Sequence, residues 1–333
     1  MSNFTHLHVH SEYSIFDGVS RIKDLVTTAK SYGMNAIAVT DHGNMYGAID
    51  LYTECIEQGI KPILGSEVYV AINDHKIKDQ TERSPYHMTI LAKNNIGYSN
   101  LVKLLTIANT KGIYYRPRID KELLTQYKEG LIILSGCPSG EISRSIVNES
   151  YEQAKSKALW YSSNFDDYYL EIMRHDNVDN LKEINENLIR ISNETGIPLV
   201  ATNDSHYTHK TDNITHDVCL CIQTNNMISD SSRLKFEASS YYLKSFEEMK
   251  DLFSDIPEAV NNTVKISEMC DVTLDLDTTK IPEFKIEDGS DPMSYLQKIC
   301  AEGFLKLFSN PDEKYKERMR YEVVIKQLNK YPN

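Results

Sequence analysis

At 333 residues, with 41% hydrophobic and 25% charged side chains, the chain has the composition of an ordinary folded protein large enough for more than one domain. A net charge of −12 speaks against a protein that coats nucleic acid through a basic surface, and no run of about 18 apolar residues offers a membrane span. The start, MSNFTHLH, has neither a basic nor an apolar leader region, and the six cysteines are scattered without a CxxC pair, so a cytoplasmic chain with reduced thiols is expected.

The first element is FTHLHVHSEYSIFDG, residues 4–18. His6, His8 and His10 fall at alternate positions, so in a strand their imidazoles share one face, with neighbours roughly 6–7 Å apart. That spacing suits ligands of one divalent ion or of a pair of ions. Asp17 falls in the turn that follows. Residues 20–32 have helical apolar spacing (Ile22, Leu25, Val26, Ala29) and stop at Gly33. AIAVT at 36–40 reads as a buried strand running into Asp41-His42-Gly43, and a helix is expected from Met45 to Gln58.

KPILGSEVYV at 61–70 is the next strand and carries Glu67; residues 72–85 lack periodicity and read as a loop. HMTILAK follows, with His87 at its start, then a helix over 97–111 and the basic, aromatic stretch GIYYRPRID. LIILS at 131–135 runs into Gly136-Cys137, and helix is expected over 139–165. YYLEIMRH supplies a strand with Glu171, a helix covers 178–195, and PLVAT ends in Asn203-Asp204-Ser205-His206.

About seven strand-then-helix units argue an α/β barrel with a parallel sheet. Cys137, Asp204, His206 and His42 come at the C-terminal ends of strands, where such barrels build their sites. Glu67 and His87 fit less tidily, within or before their strands. Cys219 and Cys221 lie two apart in a helical stretch and read as core. Beyond residue 225 the alternation ends: a short strand and helix, a second helix, a linker over 282–290, and two helices over 291–309 and 312–329 are expected. Val323, Val324, Ile325 and Leu328 on the last of these need a partner.

Imidazole, carboxylate and thiolate together are the ligand set of zinc and related ions, and nine candidates exceed the needs of one tetrahedral ion. Clustered cations suit phosphoryl chemistry, because they bind phosphate oxygens, acidify water and stabilise the leaving oxygen. No phosphate-binding glycine loop, nucleophile elbow or dinucleotide fingerprint is present.

HLHVH, TDHG, GSE, His87, SGC and NDSH, in this order, resemble the motifs of the polymerase and histidinol phosphatase (PHP) superfamily. HSEYSIFDG, GIYYRPRID, LEIMRH, YYLKSFEEM and IPEF narrow the resemblance to the PHP domain of bacterial DNA polymerase III alpha subunits. The resemblance covers essentially the whole chain. It implies a distorted (β/α)7 barrel over residues 1–275, with 276–333 as a linker and helical segment like the start of a polymerase region. It implies a metal-dependent phosphoesterase with up to three divalent ions, zinc or manganese, with iron(II) or magnesium as alternatives.

By the same resemblance His8, His10, Glu67 and Asp204 hold one ion. Glu67 bridges to a second held by His87 and Cys137, and Asp17, His42 and His206 hold the third. His10, Glu67 and Asp204 are the catalytic candidates. His6 lies outside the set and reads as packed. His75, His209 and His216 read as solvated, while Glu171 and His175 stay open between packing and a supporting role. Tyr114, Tyr115, Arg116 and Arg118 combine stacking faces with charge, as single-strand binders do.

The implied activity is 3′-to-5′ exonuclease action on single-stranded DNA, in replication or proofreading, with a polymerase-core fragment or other replisome subunits as partners. Two alternatives stay open: a catalytically silent structural module of a split or truncated DNA polymerase, and a small-molecule phosphatase. Nothing in residues 225–333 supplies a polymerase acidic triad, so polymerisation by this chain alone is not expected.

Overall fold

The computed structural model describes residues 4–15, 17–236, 239–278 and 284–328, with side chains of the last helix described to residue 325. It divides into two compact units, residues 1–274 and 275–333. The strands are β1 (Ala36–Val39), β2 (Lys61–Val70), β3 (Tyr86–Ala92), β4 (Ile113–Tyr114), β5 (Arg116–Ile119), β6 (Leu131–Leu134), β7 (Tyr168–Ile172) and β8 (Leu199–Ala201). In the first unit the helices are α1 (Ile22–Ser31), α2 (Ala48–Gln58), α3 (Asn95–Thr110), α4 (Lys121–Gln126), α5 (Glu141–Asn148), α6 (Tyr151–Asn164), α7 (Leu181–Thr195), α8 (Asn213–Thr224), α9 (Phe246–Leu252) and α10 (Pro257–Met269).

These elements follow from local chemistry. Strands β1 and β6 are apolar throughout because they are buried on both faces. Asn94, Asp120 and Ser150 cap α3, α4 and α6 by accepting from the first-turn amides, and Ser245 and Glu248 form a reciprocal capping box on α9. The helix expected over 139–165 is two helices, broken at Glu149 and restarted by the Ser150 cap.

The strands run β1–β2–β3–β6–β7–β8, and the N-terminal segment closes the ring. Ala38 and Thr40 donate their amides to the carbonyls of His6 and Val9 on one side. On the other side Ser205 N–H reaches His8 O, and His10 N–H reaches Ser205 O. The expected first strand is thus an extended stave held by scattered bonds rather than a regular ladder. The result is a distorted seven-staved α/β barrel.

The expected parallel sheet needs one correction. β3 runs antiparallel to both β2 and β6, while β1–β2, β6–β7 and β7–β8 are parallel. The reversal brings the start of β3 to the end of the barrel where the parallel strands finish. His87, at that start, therefore meets the other candidates. Strand β2 is long enough to pair with β1 through its first half and with β3 through its second, so Glu67 lies level with His42 after β1.

Alternate strand residues Ala36, Ala38, Ile63, Leu91, Ile132, Leu134 and Val200 pack together with Leu7, with Ile266 of α10 and with Cys270 just after that helix. A larger apolar cluster fills the space between the strands and the surrounding helices. Cys221 is buried in α8 as expected, but Cys219 is half-exposed: two residues apart on a helix, the pair cannot face the same way.

The second unit holds α11 (Pro292–Leu307) and α12 (Glu313–Leu328). None of its described residues is buried, and Leu305, Leu307 and Val324 are exposed. Among the described residues no helix is long and apolar enough to cross a membrane.

Candidate metal centre

The nine residues singled out from the sequence meet at one end of the barrel. Glu67 is the hub. Its Oε1 lies 2.9 Å from His87 Nδ1, 3.3 Å from Cys137 Sγ and 3.5 Å from His8 Nε2. Its Oε2 lies 2.6 Å from His42 Nδ1 and 3.7 Å from His10 Nε2. Asp204 Oδ1 lies 3.1 Å from His10 Nε2, 3.3 Å from His8 Nε2 and 3.6 Å from His206 Nδ1. Asp17 Oδ2 is 3.4 Å from His42 Nε2. Of the four triads among the described residues whose donor atoms all lie within 4.8 Å of one another, three are in this cluster, His8–His10–Asp204, His10–His42–His206 and His42–Glu67–His87, and the fourth, Asp74–His75–Asp120, lies outside it.

Backbone geometry aims two of these residues. Gly136, just after β6, has φ +85° and lies against the His87 carbonyl, where a Cβ would stand 2.5 Å away. It delivers Cys137 into the cluster. Asp204 itself has φ +46°, a left-handed conformation uncommon for a residue with a side chain and often found at functional sites.

Buried polar atoms without hydrogen-bond partners are rare. Here His8 Nε2 and Asp17 Oδ1 are buried without a hydrogen-bond partner, and His42 Nδ1 and Glu67 Oε2 are close to each other but not in hydrogen-bond geometry; all four belong to this cluster. The tautomers agree. Ser14 donates its hydroxyl proton to Asp41, so it accepts from His10 Nδ1 and leaves the His10 Nε2 lone pair facing the Asp204 carboxylate. A lone pair facing a carboxylate needs positive charge between them. The donor set is compatible with metal binding on these grounds.

The electrostatics point the same way. Burial and the imidazoles of His42 and His206 lower His10 to about 3. Burial disfavours charge on His8, yet Glu171, Asp204 and Glu67 hold its pKa well above the ordinary value. Glu67 is buried, but His87, His42 and His8 keep its carboxyl well below the usual range. Burial and the Glu67 and Asp204 carboxylates push the Cys137 thiol well up, so a thiolate there requires a cation beside it.

Two residues support the donors: Glu171, which the sequence left open between packing and such a role, and Asp41, which it did not mark as one. Glu171 Oε1 accepts from His8 Nδ1 at 2.6 Å and from Thr202 Oγ1 at 2.6 Å, and its Oε2 accepts from the Gly136 amide at 3.1 Å. It thereby fixes His8 with Nε2 toward the centre and ties three strand ends together. Asp41 accepts from Ser11 N–H and from the hydroxyls of Ser11 and Ser14, all at 2.7 Å, and so aims His10 through Ser14. Glu171→Gln is expected to weaken metal binding by about 10–100-fold, measured by competition with a chromophoric chelator; affinity within twofold of the unmodified chain would remove Glu171 from this role.

The remaining histidines divide. His6 donates from Nε2 to the Lys244 carbonyl at 2.9 Å, away from the cluster, and burial lowers it to about 4. His175 bonds Ser240 Oγ at 2.7 Å and stacks on Tyr241. His209 is exposed. Two expectations of solvation fail. His75 is buried against the Asp120 carboxylate, and His216 is buried with its ring 5.6 Å from that of His206.

The aromatic and basic cluster is only partly available. Arg118 is 0% exposed and cannot contact a nucleic acid. Its Nη2 donates to the carbonyls of His75 and Ile77, its Nε to Gly112 O and its Nη1 to Glu82. Its guanidinium also lies over the half-buried Tyr114 ring. Tyr115 and Arg116 remain exposed.

An α/β barrel with imidazoles, carboxylates and a thiol converging at one end belongs to the class of folds that build their sites at strand ends, and its donor set is compatible with bound cations. Residues 6–175, half of the chain, match the PHP domain family, and the chain belongs to it.

DNA polymerase III subunit alpha of Borreliella burgdorferi is 43% identical over 329 residues, covering 97% of this chain and 29% of that protein. The subunit from Helicobacter pylori strain J99 is 40% identical over 358 residues, covering 99% of this chain and 29% of its own length. That from Campylobacter jejuni is 39% identical over 362 residues, covering 98% and 30%. The chain thus spans less than a third of the curated relatives it matches.

Proposed function

We propose that the barrel unit is a metal-dependent phosphodiesterase that shortens single-stranded DNA from its 3′ end. The convergence of nine donors on Glu67 and Asp204 carries this reading. In it His8, His10, Glu67 and Asp204 hold one ion, Glu67, His87 and Cys137 a second, and Asp17, His42 and His206 a third. Zinc and manganese suit this mix of imidazole, carboxylate and thiolate. Divalent ions bound there supply Lewis-acid polarisation of a phosphoryl oxygen and a water of lowered pKa. The chain's own part is to hold those donors in fixed tautomers, with Glu171 locking His8 and the Asp41–Ser14 pair locking His10.

The relatives support DNA as the substrate, with replication subunits in the cytoplasm as partners and the helices after residue 275 as the lead into a longer polymerase. Purified chain with manganese or zinc is expected to shorten a 3′-labelled single strand, and chelation to stop it. No hydrolysis of DNA, nucleotides or simple phosphate esters with any divalent ion would sink the reading. A second reading, a silent module within a polymerase assembly, is favoured by the unburied apolar residues of α11 and α12. Metal-loaded but inert protein would select it.

A further inference from the structure

We propose that Arg83, Tyr115 and Arg116 form a rigid platform that seats a single-stranded DNA end at the rim of the metal centre. The inference rests on the phosphodiesterase reading above and names the surface that its substrate would use.

Arg116 is exposed, and its guanidinium lies 5.5 Å from the centroid of the Tyr69 ring. That ring is in turn 5.0 Å from the His87 imidazole and 6.0 Å from that of His42. Arg116 is therefore one aromatic ring away from two of the convergent donors. Arg83 is also exposed, with its guanidinium 4.9 Å from the centroid of Tyr115. Among the described residues neither arginine meets a carboxylate, whereas Arg174, Arg190 and Arg233 each do. In a chain of net charge −12, two guanidiniums without a carboxylate partner on adjoining segments leave positive charge free for an anion.

Tyr115 sits between the paired residues of the β4–β5 hairpin at φ +58° and is 66% exposed. A tyrosine in left-handed backbone is uncommon; Tyr115 is the one residue between the paired Tyr114 and Arg116, so the tight turn sets its φ, and its largely exposed ring lies 4.8 Å from that of Tyr114. Loop 72–85 and the hairpin are bound into one piece from beneath. Arg118 reaches His75 O, Ile77 O and Glu82, while Glu82 accepts from the amides of Ile72 and Asn73. Arg83 follows Glu82 directly, and Arg116 lies two residues before Arg118. The buried clasp thus fixes the spacing between the exposed groups, and it explains why one arginine of this run is inside.

An aromatic face flanked by guanidiniums fits a nucleobase and its phosphate. Arg116, nearer the centre, takes the phosphate beside the one to be cut, and Tyr115 with Arg83 takes a base. The face can be offered only to an unstacked base, which selects single strands over duplex.

The test is anisotropy of a fluorescein-labelled oligothymidylate, its duplex and the matching RNA strand on the full, metal-free chain at fixed salt, alongside hydrolysis of bis(p-nitrophenyl) phosphate by the wild type with added manganese. Tyr115→Ala and Arg116→Ala are each expected to raise Kd about tenfold, while Tyr115→Phe and the distant Arg190→Ala leave it unchanged. Unaltered binding in Tyr115→Ala and Arg116→Ala overturns the platform, and so does equal loss for duplex, or tighter binding of the RNA strand. A chain that cleaves the small diester but binds no oligonucleotide overturns the platform alone. A chain that binds through these residues but cleaves nothing supports the platform and overturns the phosphodiesterase reading.

Discussion

Asp204→Asn is expected to lower metal-dependent phosphodiester hydrolysis by roughly 10³-fold. A bound cation supplies several kcal/mol of charge stabilisation, and each 1.36 kcal/mol or so is a decade in rate. Asp204 stands against His8, His10 and His206, and despite burial the fields of His8 and His206 keep its carboxyl far below the usual range. Asparagine preserves the shape and removes the charge, so the barrel should fold while the cation binding that depends on it falls. His10→Ala should behave alike, since its Nε2 faces both Asp204 and Glu67. The check is initial rate on a labelled strand together with metal content of the same preparations. Activity within tenfold of the unmodified chain would show that the acid does not serve the reaction.

The second large effect concerns stability. Arg118→Ala is expected to cost about 3–5 kcal/mol, the range for breaking a buried ion pair by removing one partner. At roughly 2–4 °C per kcal/mol the melting temperature should fall by about 10 °C. The reason is local. Glu82, which is fully buried, and the carbonyls of His75, Ile77 and Gly112 would lose their shared donor. Arg118→Lys should recover less than half of the loss, because an ammonium cannot span acceptors that a planar fork reaches together. Calorimetry decides. A melting temperature for Arg118→Ala within about 2 °C of the parent would mean that the clasp is not holding loop 72–85.

Much of the site could be read from the sequence because strand ends in an α/β barrel converge, so donors far apart in the chain can be matched by their position after apolar runs. His42, Cys137, Asp204 and His206 were legible for that reason. His87 was legible as a donor but not in its placement, because a strand's direction leaves no mark in its own residues; only the antiparallel pairing of β3 resolves it. Glu171 stayed open between packing and a supporting role, since that role lies in contacts with His8, Thr202 and Gly136 from three other elements.

Arg118 misled for a physical reason. An arginine in a basic, aromatic loop reads as surface, and burial becomes tolerable only when carbonyls and a glutamate from a distant loop close around it. His75 and His216 were misread because residues distant in the chain close over them: Asp120 over His75, and the rings of His206 and Phe236 over His216. The left-handed backbone at Tyr115 has no sequence signal at all, because the residue is not one that favours it.

The decisive measurement is elemental analysis of the purified chain after equilibration with zinc or manganese and removal of free ion, run beside Asp204→Asn and Cys137→Ala. The gathering of donors around Glu67 and Asp204 predicts two to three tightly held ions per chain and fewer in each variant. A wild-type chain that retains no divalent ion, or variants that retain as much as wild type, would contradict it.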